Sequence, residues 1–152
     1  MADTVATDRV VVCTSCDTLN RVAAGKPLSA GKCGKCHAPL ATPHPVEIDG
    51  ATLQRLMAKD TGAYVLDVWA PWCGPCRMMA PAYEQAASAL ADKVRFFKLN
   101  SDQNQSAAGA LGIRGIPTLI AWDKGRMVAN QAGAQTGAAL QRWVQSTFGL
   151  SA

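Results

Sequence analysis

Apolar and polar positions alternate along this chain with two different periods, and the elements follow from them. From Tyr64 to Ala70 every residue but Asp67 is apolar, which predicts a central strand covered on both faces. Val94 to Leu99 predicts a second short strand, with Lys98 on the same side as Val94 and Phe96. Spacings of three and four predict helices. The first carries Leu53, Leu56 and Met57 behind a cap at Asp49 or Thr52, and follows Val46-Glu47-Ile48. The second spans about 74–91 with Met79, Tyr83, Ala86, Ala87 and Leu90 on one face, and Pro81 inside it predicts a kink. A short helix is expected over Asp102 to Leu111, and a last one starts near Thr136 and buries Leu140, Trp143, Val144 and Phe148. Thr118 to Trp122 and Met127 to Gln131, joined by Asp123-Lys124-Gly125-Arg126, predict a hairpin. Ile116-Pro117-Thr118 opens its first strand, where a proline is tolerated. Strands alternating with helices, then a hairpin and a closing helix, predict an α/β sandwich with a mixed central sheet.

This pattern begins only near residue 46. Residues 1–45 hold few large apolar side chains but four of the six cysteines, so they need a metal or cross-links to fold. Cys13-Thr14-Ser15-Cys16 and Cys33-Gly34-Lys35-Cys36 are separated by sixteen residues, a spacing suited to one four-cysteine Zn²⁺ site. Two short knuckles can each present two sulfurs to a tetrahedral ion, and Gly34 is expected to permit the tight turn after the third ligand. Disulfide pairing of the same four thiols is the alternative. His37 and His44 are not required as ligands. Thr42-Pro43-His44-Pro45 reads as a linker, dividing the chain into 1–45, a small zinc-ribbon domain with its linker, and 46–152.

Charge adds little. The 152 residues carry a net charge of +4 with no long basic run, and a four-thiolate zinc site would cancel the ribbon's own surplus, which argues against nucleic-acid binding. Met1 to Val12 lacks the apolar stretch of a secretory leader, and no run approaches the roughly 18 apolar residues that span a bilayer. Cysteines arranged as three C-x-x-C pairs fit metal and redox chemistry in a reducing compartment, most simply the cytoplasm.

The third pair, in Trp72-Cys73-Gly74-Pro75-Cys76, lies between a strand-like run and a helix-compatible segment. Two thiols so spaced can close a small disulfide ring, and a helix N-terminus stabilises a thiolate. This context favours a redox site over a structural disulfide or half of a metal site. Asp67, inside the apolar run, is expected to be desolvated and hard to ionise, which suits a proton acceptor. A bulge or a partly exposed position is the other reading. Lys98, by spacing alone, is a solvated strand residue.

Trp72-Cys73-Gly74-Pro75-Cys76 is identical to the active-site pentapeptide of thioredoxins. Asp67-Val68-Trp69-Ala70, Lys98-Leu99-Asn100, Asp102-Gln103-Asn104 and Gly112-Ile113-Arg114-Gly115-Ile116-Pro117-Thr118 are similar to that family as well, in the same order over about 46–150. With the amino-terminal ribbon, the chain resembles the bacterial thioredoxin 2 subgroup. The resemblance implies the thioredoxin fold and reduction of protein disulfides through a redox-active Cys73-Cys76 disulfide. Cys73 would attack as the more exposed thiol, and the shielded Cys76 would resolve the mixed disulfide. Asp67 would serve as general acid and base, with the Lys98 ammonium near it. A cis proline is implied at Pro117, and a substrate rim at Trp72, Gly74, Pro75, Ile116, Pro117, Gly133 and Ala134. Implied partners are disulfide-containing proteins and an NADPH-dependent thioredoxin reductase, with no nucleic acid and no membrane, and a monomer is expected. A different class of function is the alternative: a redox-switched zinc-binding chaperone or interaction module.

Overall fold

In the computed structural model, which describes residues 7–150, the apolar run after Gly62 is the middle strand of a five-stranded sheet. The elements in chain order are β1 (Arg9–Val12), β2 (Leu19–Val22), a 3-10 turn (Leu28–Ala30), β3 (Val46–Glu47), α1 (Gly50–Lys59), β4 (Tyr64–Trp69), α2 (Gly74–Leu90), β5 (Arg95–Asn100), α3 (Gln105–Ala110), β6 (Thr118–Asp123), β7 (Arg126–Ala132) and α4 (Ala138–Phe148). Residues 1–6, half of the segment read above for a leader, and residues 151–152 lie outside the described part.

The large sheet has the order β3-β5-β4-β6-β7. β3, β5 and β4 run parallel, β6 is antiparallel to β4, and β7 is antiparallel to β6, so the sheet is mixed as expected. Successive side chains of a strand point to opposite faces, and both faces here are dry. Val65, Phe96, Leu119 and Ala121 pack under α2 and α4, against Met79, Tyr83, Leu140, Val144 and Phe148. Tyr64, Leu66, Val68, Phe97 and Ile120 pack under α1 and α3, against Leu53, Leu56 and Ala108. Asp67, Trp69 and Lys98 share the parity of Val65 and Phe96 and therefore face α2.

Three boundaries that the pattern left open or approximate are set by local contacts. Asp49, not Thr52, caps α1 by accepting from the Thr52 N–H at 2.8 Å. The helix expected from Asp102 starts only at Gln105, because Asn100 Oδ1 accepts from the backbone of Asp102 at 2.9 Å and of Gln103 at 3.3 Å and holds both in a turn. α4 starts at Ala138 because Gly137, with φ of 59°, sets a chain direction that a side chain would resist. Pro81 stands on the exposed side of α2 without ending it, removing the one hydrogen bond that the Arg77 carbonyl would have accepted.

The amino-terminal ribbon is built from the β1–β2 hairpin and a small core of Val11, Cys13, Val22, Leu28, Cys33, Leu40 and Ala41. More than the Pro43–Pro45 segment joins it to the rest. Val12 donates its N–H to Asp60 Oδ2 at 2.8 Å and accepts from Arg95 Nη1 at 2.8 Å. Asp60 and Arg95 pair directly, and both are buried. Thr61 and Val10 exchange two hydrogen bonds of 2.8 Å, and Arg55 reaches the Asp17 carbonyl. These contacts lie where β4 and β5 begin. The C-x-x-C pair lies where β4 ends, about 17 Å away at the rise of an extended strand.

Candidate active site and candidate metal centre

β4 ends at Trp69 and α2 begins at Gly74, so Cys73 becomes the N-cap of α2, in extended conformation. Its sulfur accepts from the Cys76 backbone N–H at 3.2 Å. A free N–H and the positive end of a 17-residue helix therefore both point at Sγ of Cys73, the arrangement that favours a thiolate. Cys73 and Cys76 are joined by a disulfide, with a Cα–Cα distance of 5.3 Å.

The expectation that Cys73 is the more exposed thiol is not met, since both cysteines are 4% exposed. Direction distinguishes them. Cys73, with Trp72, Gly74, Pro75 and Ile116, lines an open groove of about 690 Å³, and Cys76 does not. Both cysteines share one small cluster with Ala70, Trp69 and Ile116.

Trp72 is 67% exposed, and its indole N–H donates to Asp102 Oδ2 at 2.9 Å, which fixes the ring as one wall of the groove. Sγ of Cys73 lies 3.8 Å from the Ile116 carbonyl oxygen, and the Ile116-Pro117 peptide is cis. Pro117 itself is buried and lies off the groove wall, as do Gly133 and Ala134. Gly133 donates to the Pro117 carbonyl at 2.9 Å with φ of 97°, a conformation that favours glycine. The far wall comes from residues that no pattern had singled out as a set: Ser101, Gln105, Ile113 and Arg114. Of these, Ile113 and Arg114 stand next to Ile116 in the sequence.

In the ribbon, the sulfurs of Cys13, Cys16, Cys33 and Cys36 all lie within 4.8 Å of one another. Cys13–Cys36 and Cys16–Cys33 are each 3.6 Å apart, too long for a disulfide. Four ligands at about 2.3 Å around a tetrahedral zinc would stand roughly 3.8 Å apart, so the cage fits that ion. The two knuckles repeat each other. Asp17 N–H donates to Cys13 O at 2.8 Å, and His37 N–H to Cys33 O at 2.9 Å. The left-handed residues that close them are Asp17 and His37, with φ of 66° and 67°, and not Gly34. That corrects the role expected of Gly34, whose N–H instead donates to Asn20 Oδ1 at 2.9 Å. Backbone N–H groups of Cys36 and Lys35 draw the Cys33 thiol down to about 5, while burial and the three neighbouring sulfurs push the Cys36 thiol up to about 11.

Known proteins share this arrangement. The thioredoxin family model matches residues 44–146, and the model for the amino-terminal part of thioredoxin 2 matches residues 12–38. The chain belongs to the thioredoxin family. Thioredoxin C-3 of Corynebacterium nephridii is 35% identical over 135 residues, covering 89% of this chain and 92% of that one. Thioredoxin of Rhodospirillum rubrum is 40% identical over 101 residues, 66% of this chain and 97% of that protein. Among solved structures, a single-substitution mutant of a thioredoxin from Halobacterium salinarum superposes with a TM-score of 0.64 at 31% identity, over 74% of this chain and 97% of that one. This thioredoxin, of the subgroup with a thioredoxin 2 type ribbon, is thus a thiol–disulfide oxidoreductase.

In the thioredoxin domain Asp67 is 1% exposed, and its Oδ1 has no hydrogen-bond partner. Burial pushes its carboxyl up to about 7, with the Lys98 charge acting in the opposite sense. Lys98 stands opposite Asp67 in the β4–β5 ladder, but its ammonium lies over the Trp69 ring, 4.3 Å from the centroid.

A stability consequence follows with a definite sign. Between about pH 4 and pH 7 the folded chain keeps the Asp67 proton and the unfolded chain has lost it. Stability contributed by the neutral carboxyl is therefore full below the unfolded pKa, declines as pH rises towards 7 and stays lost above it. The whole span is worth roughly 4 kcal/mol at most. Asp67→Asn is expected to lack this slope, so its stability relative to wild type rises from pH 4 to pH 8 in urea titrations. Parallel curves for the two proteins would contradict the assignment.

Proposed function

We propose that this thioredoxin reduces protein disulfides by exchange at Cys73 and Cys76. Cys73 attacks as thiolate, one substrate sulfur leaves as thiol or thiolate, and a Cys73–substrate mixed disulfide forms. Cys76 gives up its proton to Asp67 and attacks Cys73, which releases the second substrate sulfur and leaves the Cys73–Cys76 disulfide. The observation that carries this reading is the Cys73 sulfur, set at the N-cap of α2 and on the wall of the groove. Trp72, Gly74, Pro75 and Ile116 bear on the substrate chain directly, and Pro117, Gly133 and Ala134 complete the rim beside them, with Gly133 donating to the Pro117 carbonyl. Lys98 moderates Asp67.

Residues 1–45 form the ribbon and 46–152 the catalytic domain. Cys13, Cys16, Cys33 and Cys36 hold one zinc ion, which with no free protein ligand position supplies cohesion rather than chemistry. An NADPH-dependent thioredoxin reductase returns the disulfide to the dithiol, and the protein works as a monomer in the cytoplasm. Among the described residues no helix is long and apolar enough to cross a membrane. A chaperone role for the ribbon has less support, since Leu19 is the one large apolar side chain it exposes among the described residues.

The test is reduction of insulin disulfides by the purified protein with NADPH and a thioredoxin reductase. Turnover is expected, and it should persist in a folded Cys36→Ser variant. Failure of the wild-type protein to turn over, with a control thioredoxin active in the same mixture, would contradict the proposal.

A further inference from the structure

Asp67 is the inner end of a row of charges. In the sheet, Asp67 on β4 stands opposite Lys98 on β5, and Lys98 stands opposite Glu47 on β3. Cross-strand partners point to the same face, so the order from core to edge is acid, base, acid. Exposure follows that order: Asp67 is buried, Lys98 half-buried and Glu47 exposed at the sheet edge. Trp69 lies two residues after Asp67 and shares its face. Its indole N–H is held by both oxygens of Glu47, at 2.9 and 3.1 Å, while the Lys98 ammonium rests on the ring face. Glu47 thus fixes the edge of the ring on which Lys98 sits.

We propose that Glu47 is a positioning residue for the disulfide exchange: through the Trp69 ring it fixes where the Lys98 ammonium stands beside Asp67, and so sets the pH at which Asp67 exchanges its proton. This rests on the reading of Asp67 as the proton acceptor for Cys76.

Two effects of Glu47 have the same sign. Its negative charge lies two strand spacings from Asp67, about 10 Å, and disfavours a second carboxylate there. It also competes for the Lys98 ammonium, which favours the Asp67 carboxylate. Both raise the Asp67 midpoint, and repulsion from Glu47 adds to the burial described above. Glu47 is itself held above the usual carboxylate range by partial burial, against the Trp69 N–H and Lys98, which lower it. The other ionisable group facing Asp67 from a packed element is Tyr83 on α2. Burial keeps its phenol neutral, and its hydroxyl donates to the Phe97 carbonyl at 2.7 Å, with the Val65 carbonyl 3.2 Å away. Cys76, also on α2, is tied in the disulfide, and β6 brings apolar Leu119 opposite Asp67.

The experiment is a ¹³C NMR titration of the Asp67 carboxyl in the oxidised full chain, for wild type and Glu47→Gln. The amide oxygen can still accept from Trp69, so the ring stays in place while the charge goes. The Asp67 midpoint is expected to fall by roughly 0.5 unit, with the Trp69 fluorescence unchanged. Lys98→Met should move the midpoint the other way. An Asp67 midpoint that is the same with and without the Glu47 charge, or that rises in Glu47→Gln, overturns the inference, even if Glu47→Gln alters thermal stability as a merely structural contact would. The acceptor role of Asp67 is tested separately by the pH profile of insulin reduction in Asp67→Asn. A profile identical to wild type would remove that role and leave the NMR result standing on its own.

Discussion

Asp60→Ala is expected to lower the unfolding free energy by about 3–5 kcal/mol, because it strands the buried Arg95 guanidinium without its counter-charge. Asp60 and Arg95 are 1% and 5% exposed. Between them they satisfy both the N–H and the C=O of Val12, and Asp60 Oδ1 also accepts from the Gly62 N–H at 2.8 Å. Loss of the carboxylate thus leaves one buried charge and two buried N–H groups unpaired, each a separate cost. Val12 immediately precedes the first cage cysteine, so the damage should appear on both sides of the boundary. Urea unfolding at pH 7 gives the magnitude, and hydrogen exchange at Val12 gives the location. A double variant, Asp60→Leu with Arg95→Met, should recover much of the loss by removing both charges together. A change below about 1 kcal/mol, the range of an exposed pair, would show that the ribbon is not clamped in this way.

Cys73→Ser is expected to bring insulin reduction down to the background rate, since a serine hydroxyl at the head of α2 is neither ionised at neutral pH nor able to form a mixed disulfide. The fold should be unaffected, because a hydroxyl can still accept the Cys76 N–H as an N-cap. Circular dichroism and zinc content equal to wild type would separate loss of chemistry from loss of structure. Residual turnover above background in Cys73→Ser would move the attack to another sulfur.

Much of this was legible in the sequence, for reasons that particular residues make plain. Asp67 is the one polar residue in an apolar run, so its burial followed from its neighbours, and the structure places it at 1% exposure. The three C-x-x-C pairs carried their own spacing, and the thioredoxin resemblance supplied the cis proline at position 117 that base rates alone would not. Other features were hidden. Asp60 and Arg95 are charged residues flanking β4 and opening β5, and their shared partner, Val12, comes from the ribbon. The knuckle turns fell to Asp17 and His37 because a left-handed position does not have to be glycine. Glu47 gave no signal, because its partners come from two other strands and the ladder register is a tertiary property. The equal exposure of the two cysteines left no trace in the sequence, because the ring that joins them is buried as a unit. Of the two, Cys73 lines the groove and Cys76 does not.

The most direct test of the central claim is trapping with Cys76→Ser. With the resolving sulfur gone, the reduced variant should stall as a covalent adduct with a disulfide-bonded protein, and mass spectrometry after non-reducing digestion should place the linkage at Cys73. Dithiothreitol should release the adduct, and Cys73→Ser should form none. An adduct linked through a ribbon cysteine, or no adduct from a folded and reduced Cys76→Ser protein, would contradict the account.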